Sequence, residues 1–133
     1  MEGTAGQRFL RDERGSATIE TLIWFPLFVY LLVLITDVSL IYYGKAQALR
    51  ALQDANRGLS VRQFPTAEEA QAYAESRVHE FSPSATVEVT TSEIDGMIVS
   101  RATLLASELM AVGSIPTFAA TTVNVSTQHF LER

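Results

Sequence analysis

The chain has 133 residues, of which 47% are hydrophobic and 19% charged, so its size and composition fit one small domain. A formal net charge of -5 at pH 7 argues against nucleic-acid binding, because phosphate contacts need clustered Lys and Arg. The sequence contains no cysteine, which excludes disulfides, thiolate metal sites and a cysteine nucleophile.

The apolar residues concentrate in one segment, residues 21–43, in which Asp37 is the only formal charge. A helix of this length rises about 34 Å, enough to cross the roughly 30 Å hydrocarbon core of a bilayer. A small domain seldom surrounds a helix that is apolar on every side, so a membrane span is favoured over a buried core helix. Trp24, Tyr42 and Tyr43 lie near the two ends, where aromatic rings suit the membrane interface.

A cleavable secretory signal is an alternative, because residues 46–48 read Ala-Gln-Ala, the small-x-small form of a cleavage site. Two features disfavour it. The apolar run is longer than the roughly 7 to 15 residues of a signal peptide, and the helical pattern continues through the supposed cut.

The helical pattern extends beyond the apolar run as a narrow stripe. Its members recur at intervals of four, three and four residues: Ala48, Leu52, Ala55 and Leu59. This pattern predicts one continuous helix from about Ser16 to Gly58, on the order of 65 Å long, with Gly58 as its C-terminal stop.

Pro26 and Asp37 are imperfections in the long helix and candidate contacts with another helix. Pro26 cannot donate to the carbonyl of Leu22, which predicts a local kink. Asp37 is costly in a bilayer, and two interpretations stay open. The carboxylate either reaches the outer interface or accepts from Ser39 or Thr36, or it contacts a neighbouring membrane helix.

Residues 63–133 predict a small outer domain that contains a second helix. Thr66 and Glu69 form a capping box at the start of this helix, and Pro83 follows its end. Three strand-like runs follow, at residues 85–91, 97–106 and 121–129, with a turn at Asp95 and Gly96 between the first two. The expected fold is therefore α+β, with a long N-terminal transmembrane helix, one further helix and a small antiparallel sheet.

The link over residues 107–118 is too apolar for a freely solvated loop. It either covers the core or presents a contact surface, and core cover is favoured. Neither His79 nor His129 has the spacing of a metal motif, and no nucleophile elbow, phosphate-binding loop or paired-carboxylate pocket is present. The sequence therefore predicts no catalytic, metal or cofactor site.

Residues 13–61 resemble the amino-terminal region of the TadE-like pseudopilins of tight-adherence (Tad/Flp) pilus systems. The resemblance rests on a short charged leader, Gly15 followed by small Ser16, Glu20 at the fifth place after the glycine, an early proline and a late aspartate. It implies a non-enzymatic, minor pilin-like protein needed for pilus assembly, whose leader a prepilin peptidase removes between Gly15 and Ser16. Its implied partners are that peptidase, other pilins or pseudopilins, and the inner-membrane assembly platform.

The resemblance and the patterns together divide the chain into three parts. Residues 1–15 are a cytoplasmic leader, residues 16–62 a long helix with a transmembrane span at about 21–43, and residues 63–133 a periplasmic α+β domain. The protein would cross the inner membrane once, in contact with the lipid bilayer, and could be incorporated into a pilus. The alternatives are an uncleaved membrane-anchored binding module and an exported soluble domain released after Ala48.

Cleavage after Gly15 would give Glu20 a new neighbour. The ammonium group on Ser16 would precede Glu20 by four residues, and positions i and i+4 share a helix face. In a low-dielectric setting, a cationic partner on an adjacent subunit would favour one register of helix against helix. The simpler interpretation is that Glu20 is an interfacial residue favoured by the positive end of the helix dipole.

Overall fold

The structure is a computed structural model that describes residues 5–92 and 94–131, with side chains from Ala17 onward. Its elements, in chain order, are α1 (Ala5–Ser60), α2 (Ala67–His79), β1 (Thr86–Ser92), β2 (Met97–Leu105), α3 (Ala106–Leu109), α4 (Pro116–Ala119) and β3 (Thr122–Phe130). A long N-terminal helix, a further helix and a three-stranded antiparallel sheet confirm the predicted α+β fold.

Helix α1 includes Pro26 and ends two residues later than the predicted stop at Gly58. Gly58 instead allows a close approach, because a Cβ atom there would collide with the ring of Phe64. The Gly58 carbonyl accepts from the amides of Gln63 at 2.8 Å and Phe64 at 3.2 Å, and the chain reverses at Arg62, whose φ is 60°. The kink expected at Pro26 stays a prediction.

The chain divides into two compact units, with the boundary between Ile35 and Thr36. In the first unit, every described side chain from Ala17 to Leu32 is exposed. In the second unit, burial along α1 follows the predicted stripe, since Ala48, Leu52 and Ala55 are fully buried. The same helix therefore has a wholly exposed apolar segment and, further along, an amphipathic segment.

Helix α2 begins where the sequence predicted. Thr66 is its N-cap, and the Thr66 side chain accepts from the amide of Glu69 at 3.3 Å. This bond satisfies an amide that has no partner inside the helix. Ala70, Ala74 and Val78 form the buried face of α2, at the four-residue spacing expected of an amphipathic helix.

The sheet has the order β1-β2-β3, with both neighbouring pairs antiparallel. Val87, Ala102 and Val125 lie in register across the three strands and are all buried, so one face of the sheet contributes to the core. The turn between β1 and β2 contains the predicted glycine, Gly96. Its φ of 59° is a conformation that glycine adopts at little cost.

A polar pair is buried between α1 and the sheet. The hydroxyl of Ser100, on β2, donates to the side-chain oxygen of Asn56, on α1, and both residues are almost fully buried. Because both groups are buried, a water molecule cannot readily replace either partner. The hydrogen bond therefore fixes the position of α1 relative to β2.

Residues 107–118 divide between the two predicted roles. Leu109 is buried and joins the core cluster, as core cover requires. Val112 is 70% exposed and Phe118 43% exposed, so this part of the link presents an apolar surface instead.

Candidate functional site

The exposed segment of α1 carries most of the large hydrophobic side chains that the structure shows exposed. Leu22, Ile23 and Phe25 are 67%, 70% and 64% exposed, and aromatic and aliphatic neighbours surround them on all sides of the helix. Soluble proteins rarely leave so much contiguous apolar surface open to water. By length and composition, α1 is long and apolar enough to cross a membrane. It is therefore compatible with a single-pass membrane anchor.

Glu20 lies on this surface, at the edge of a shallow groove with Trp24 and Phe28. Its side chain is exposed. Among the residues whose side chains are described, the ion pair found joins Arg77 to Glu80 at 3.5 Å, so Glu20 has no cationic partner there. Glu20 thus places an acidic group on a face that is otherwise largely apolar.

Gly15 and Ser16 precede the first described side chain. The backbone of α1 continues through both residues, but the surroundings of their side chains lie outside the described part of the chain. Cleavage between them and pairing of the new amine with Glu20 both stay predictions. A helix–helix contact at Pro26 stays a prediction as well.

Asp37 makes a set of contacts that neither sequence-based interpretation contained. One carboxylate oxygen accepts from the amides of Ala111 and Val112 at 3.0 and 3.1 Å, and the other accepts from the amide of Ser114 at 2.7 Å. Only 2% of Asp37 is exposed. The carboxylate is therefore stabilised within its own chain, by backbone donors that a carboxylate can accept together.

The donors converge because of the local backbone. Helix α3 ends at Leu109, Met110 is extended, and Gly113 has a φ of 70°. Successive amides in such a turn point toward a common centre, which suits an anion. We call residues 110–114 the Asp37-bound loop.

A second contact lies two helical turns further along α1. Gly44 is buried against Leu109, and a Cβ atom at Gly44 would lie 2.5 Å from the Leu109 Cδ2 methyl. Glycine is needed here for close packing rather than for a turn. Asp37 and Gly44 together hold α3 and the Asp37-bound loop against α1.

Glu108 secures the same region from the other side. The Ser82 hydroxyl donates to one Glu108 oxygen, and the Ser84 amide donates to the other at 3.2 Å. The Ser82 bond, followed by the Ser84 bonds, lowers the pKa of the Glu108 carboxyl, and partial desolvation opposes this shift. Helix α3 is thereby connected to the segment that follows α2.

The described residues contain no candidate metal site. Among them, no group of three or more His, Asp or Glu side chains is placed to hold a metal ion. His79, one of the two histidines, instead lies with its Nε2 atom 3.0 Å from the carbonyl of Ala85.

Residues 15–57, about a third of the chain, match the family model described as TadE-like protein. This match confirms the resemblance found in the sequence. It includes Ser16, Glu20, Pro26 and Asp37 but ends before α2 and the sheet. No curated protein and no solved structure matches the chain.

Proposed function

We propose that this chain, whose residues 15–57 match the TadE-like family, is a minor pilin-like component that is needed to assemble a tight-adherence type IVb pilus. Its leader would lie in the cytoplasm, α1 would cross the inner membrane once, and the domain that follows would be periplasmic. The family is structural rather than enzymatic, so the proposed role is assembly and not catalysis.

The observation that carries this proposal is the exposed apolar segment of α1. Every described side chain from Ala17 to Leu32 is exposed, although most are apolar. Lipid would cover this surface while the subunit is in the membrane, before it assembles into a filament. Helices of other pilins would cover it in a filament, where close packing and polar contacts take over from lipid.

Glu20 gives this surface one polar point of recognition. Removal of the leader after Gly15 would create an ammonium group on Ser16, either next to the Glu20 of the same chain or near that of a neighbour. An unpaired carboxylate is costly in a low-dielectric setting, so assembly would favour the register that provides a cation.

The proposed cleavage site and Asp37 define a span of suitable length. Residues 16–36 would form about 31 Å of helix, close to the roughly 30 Å hydrocarbon core. Asp37 and Gly44 both pack within the second unit, and packed residues are not free to face lipid. These contacts favour a span that ends just before Asp37, earlier than the predicted end at Tyr43.

Intact mass spectrometry tests the processing step directly. The full chain is isolated from cells with and without the prepilin peptidase. A mature N-terminus at Ser16 that depends on the peptidase supports the proposal. An intact leader in both strains would favour the uncleaved binding module, and a start near Leu49 would favour the exported soluble domain.

A matched pair of glycine variants locates the cleavage site. Gly15→Leu should abolish processing, because a bulky side chain hinders close approach of the peptidase to the backbone. Gly6→Leu makes the same change within the leader and should be processed normally. Normal cleavage of the Gly15 variant would place the site elsewhere.

A further inference from the structure

We propose that the connection between α3 and β3, residues 110–121, is a second membrane contact that rests in the lipid headgroup region of the outer face of the bilayer. This inference rests on the proposed function, because it requires α1 to be the membrane anchor. It assigns a ligand, the lipid surface, to a segment outside the family match.

The connection presents an exposed apolar surface without charged residues. Val112 is 70% exposed and Phe118 is 43% exposed, and the short helix α4 has no buried residue. The sequence has no Asp, Glu, Lys or Arg from Leu109 to Leu131. Entry into the headgroup region would therefore bury apolar side chains without desolvating a charged one.

Both ends of the connection are held by hydrogen bonds. Its first residues donate their amides to Asp37, at 3.0 Å for Ala111 and 3.1 Å for Val112. Its last residue, Thr121, accepts from the amide of Ala106 at 2.9 Å. The exposed apolar residues thus belong to a segment that is held at both ends. We call this segment, residues 110–121, the lobe.

Asp37 lies close along the chain to the end of the proposed span. Asp37 follows Ile35, the last residue of the first unit, by two residues, which is about 3 Å of helical rise. The lobe is therefore tied to the chain where the proposed span ends. Tyr42 and Tyr43, 68% and 62% exposed, follow within roughly 9 Å of rise, and tyrosine favours the membrane interface.

These features favour lipid over a second copy of the chain as the occupant. Lipid headgroups and their acyl boundary lie wherever the anchor leaves the hydrocarbon, so a lobe tied to that point meets them without a further partner. Interfacial segments typically bury their apolar side chains about 5–10 Å into this boundary. Val112 and Phe118 are the side chains expected to do so.

The absence of cysteine allows a direct test. Two single-cysteine variants of the full-length chain, Val112→Cys and Phe118→Cys, are each labelled with an environment-sensitive fluorophore. Each lipid nanodisc contains one copy of the labelled chain. Ile94→Cys, in the β1–β2 turn and 92% exposed, is the matched control for an exposed apolar position. Phe28→Cys, in the proposed span, is the control for anchoring.

Quenching by headgroup nitroxide lipids is compared with quenching by aqueous iodide, and the Phe28 label, which lies near the middle of the proposed span, is tested with acyl-chain nitroxide lipids. The Val112 and Phe118 labels should be blue-shifted and quenched by the nitroxide lipids at least about twofold more than the Ile94 label. If they behave like Ile94 while Phe28 is lipid-quenched, the lobe inference is wrong and anchoring stands. A blue shift without lipid quenching would mean that protein covers the lobe, which also overturns it. An unquenched Phe28 label would refute the membrane anchor itself.

Discussion

The carboxylate of Asp37 lies 2.7 Å from the backbone nitrogen of Ser114, a residue 77 positions further along the chain. Two more amides of the same loop share the carboxylate, and Asp37 is almost fully buried. An acidic residue late in an apolar helix therefore has a structural explanation. It fixes the domain to α1 close to where the exposed apolar segment ends.

Replacing Asp37 should loosen the Asp37-bound loop. Asp37→Ala removes the shared acceptor of the amides of Ala111, Val112 and Ser114. Hydrogen–deuterium exchange of these three amides should accelerate by roughly tenfold or more in the full chain in detergent. The reason is that their hydrogen bonds to Asp37 no longer have to break before the amides can exchange. Asp54→Ala, on the exposed face of the same helix, should leave the loop unchanged. Equal exchange in both variants would show that the three bonds do not hold the loop.

The elements of the fold were largely predictable because their signals are local. The alternation of Val87 and Val89 with polar residues indicates a strand with one buried face, and both valines are buried in β1. The N-cap of α2 depends on two residues three positions apart, Thr66 and Glu69, and the structure contains that bond. Such signals need no knowledge of the rest of the chain.

The partner of Asp37 was not predictable in the same way. Its donors are backbone amides, which every residue except proline carries, so no residue type identifies them. Their convergence depends on the end of α3 and on the positive φ of Gly113. The position of Asp37 in an apolar helix indicates that its charge needs a partner, but only the tertiary structure identifies that partner.

The contact between Gly44 and Leu109 should be intolerant of a large side chain. Gly44→Leu forces a new side chain into space that the Leu109 methyl groups occupy, and overpacking of this kind costs about 1–3 kcal/mol. Ala46→Leu adds similar bulk at an exposed position of the same helix and should be nearly neutral. Thermal unfolding of both variants in detergent, followed by circular dichroism, measures the difference. Equal midpoints would contradict the tight contact.

Stability should depend on pH through Glu108. Its pKa is lowered in the folded chain, chiefly by the hydrogen bond from Ser82, so the ionised form stabilises the fold. This contribution is fully present above the unfolded pKa, near 4.5, and is lost as the pH falls through the lowered pKa. Coulombic attraction from His79 also contributes to lowering the pKa of Glu108.

The variant Glu108→Gln separates this effect from general acid denaturation. At pH 7 the variant should unfold a few degrees below the wild type, because the charge-assisted bonds from Ser82 and Ser84 are weakened. As the pH falls below about 4.5, the two unfolding curves should converge. Glu88→Gln, on the exposed side of β1, is the control and should follow the wild type. A constant gap across the pH range would rule out linkage through Glu108.

Glu20 should matter for assembly and not for insertion. Glu20→Ala and Glu20→Gln leave the apolar segment intact, so both variants should fractionate with the membrane as the wild type does. Their co-purification with other pilins should fall by roughly tenfold or more, because a charge partner in a low-dielectric contact is lost. Glu68→Gln, at the exposed start of α2, should have no such effect. Unchanged co-purification and pilus assembly would support the simpler role of Glu20 as an interfacial residue.

The buried pair of Asn56 and Ser100 should show strong coupling between α1 and β2. Each single change, Asn56→Ala or Ser100→Ala, leaves the other polar group buried without its partner and should cost about 1–3 kcal/mol. The double variant removes both polar groups, so its loss should be clearly smaller than the sum of the two. Within the described part of the chain, the side-chain nitrogen of Asn56 has no hydrogen-bond partner even in the intact pair, which lowers the cost of removing the pair as a whole. Additive losses in denaturant unfolding would mean that packing volume, and not the hydrogen bond, fixes the helix against the sheet.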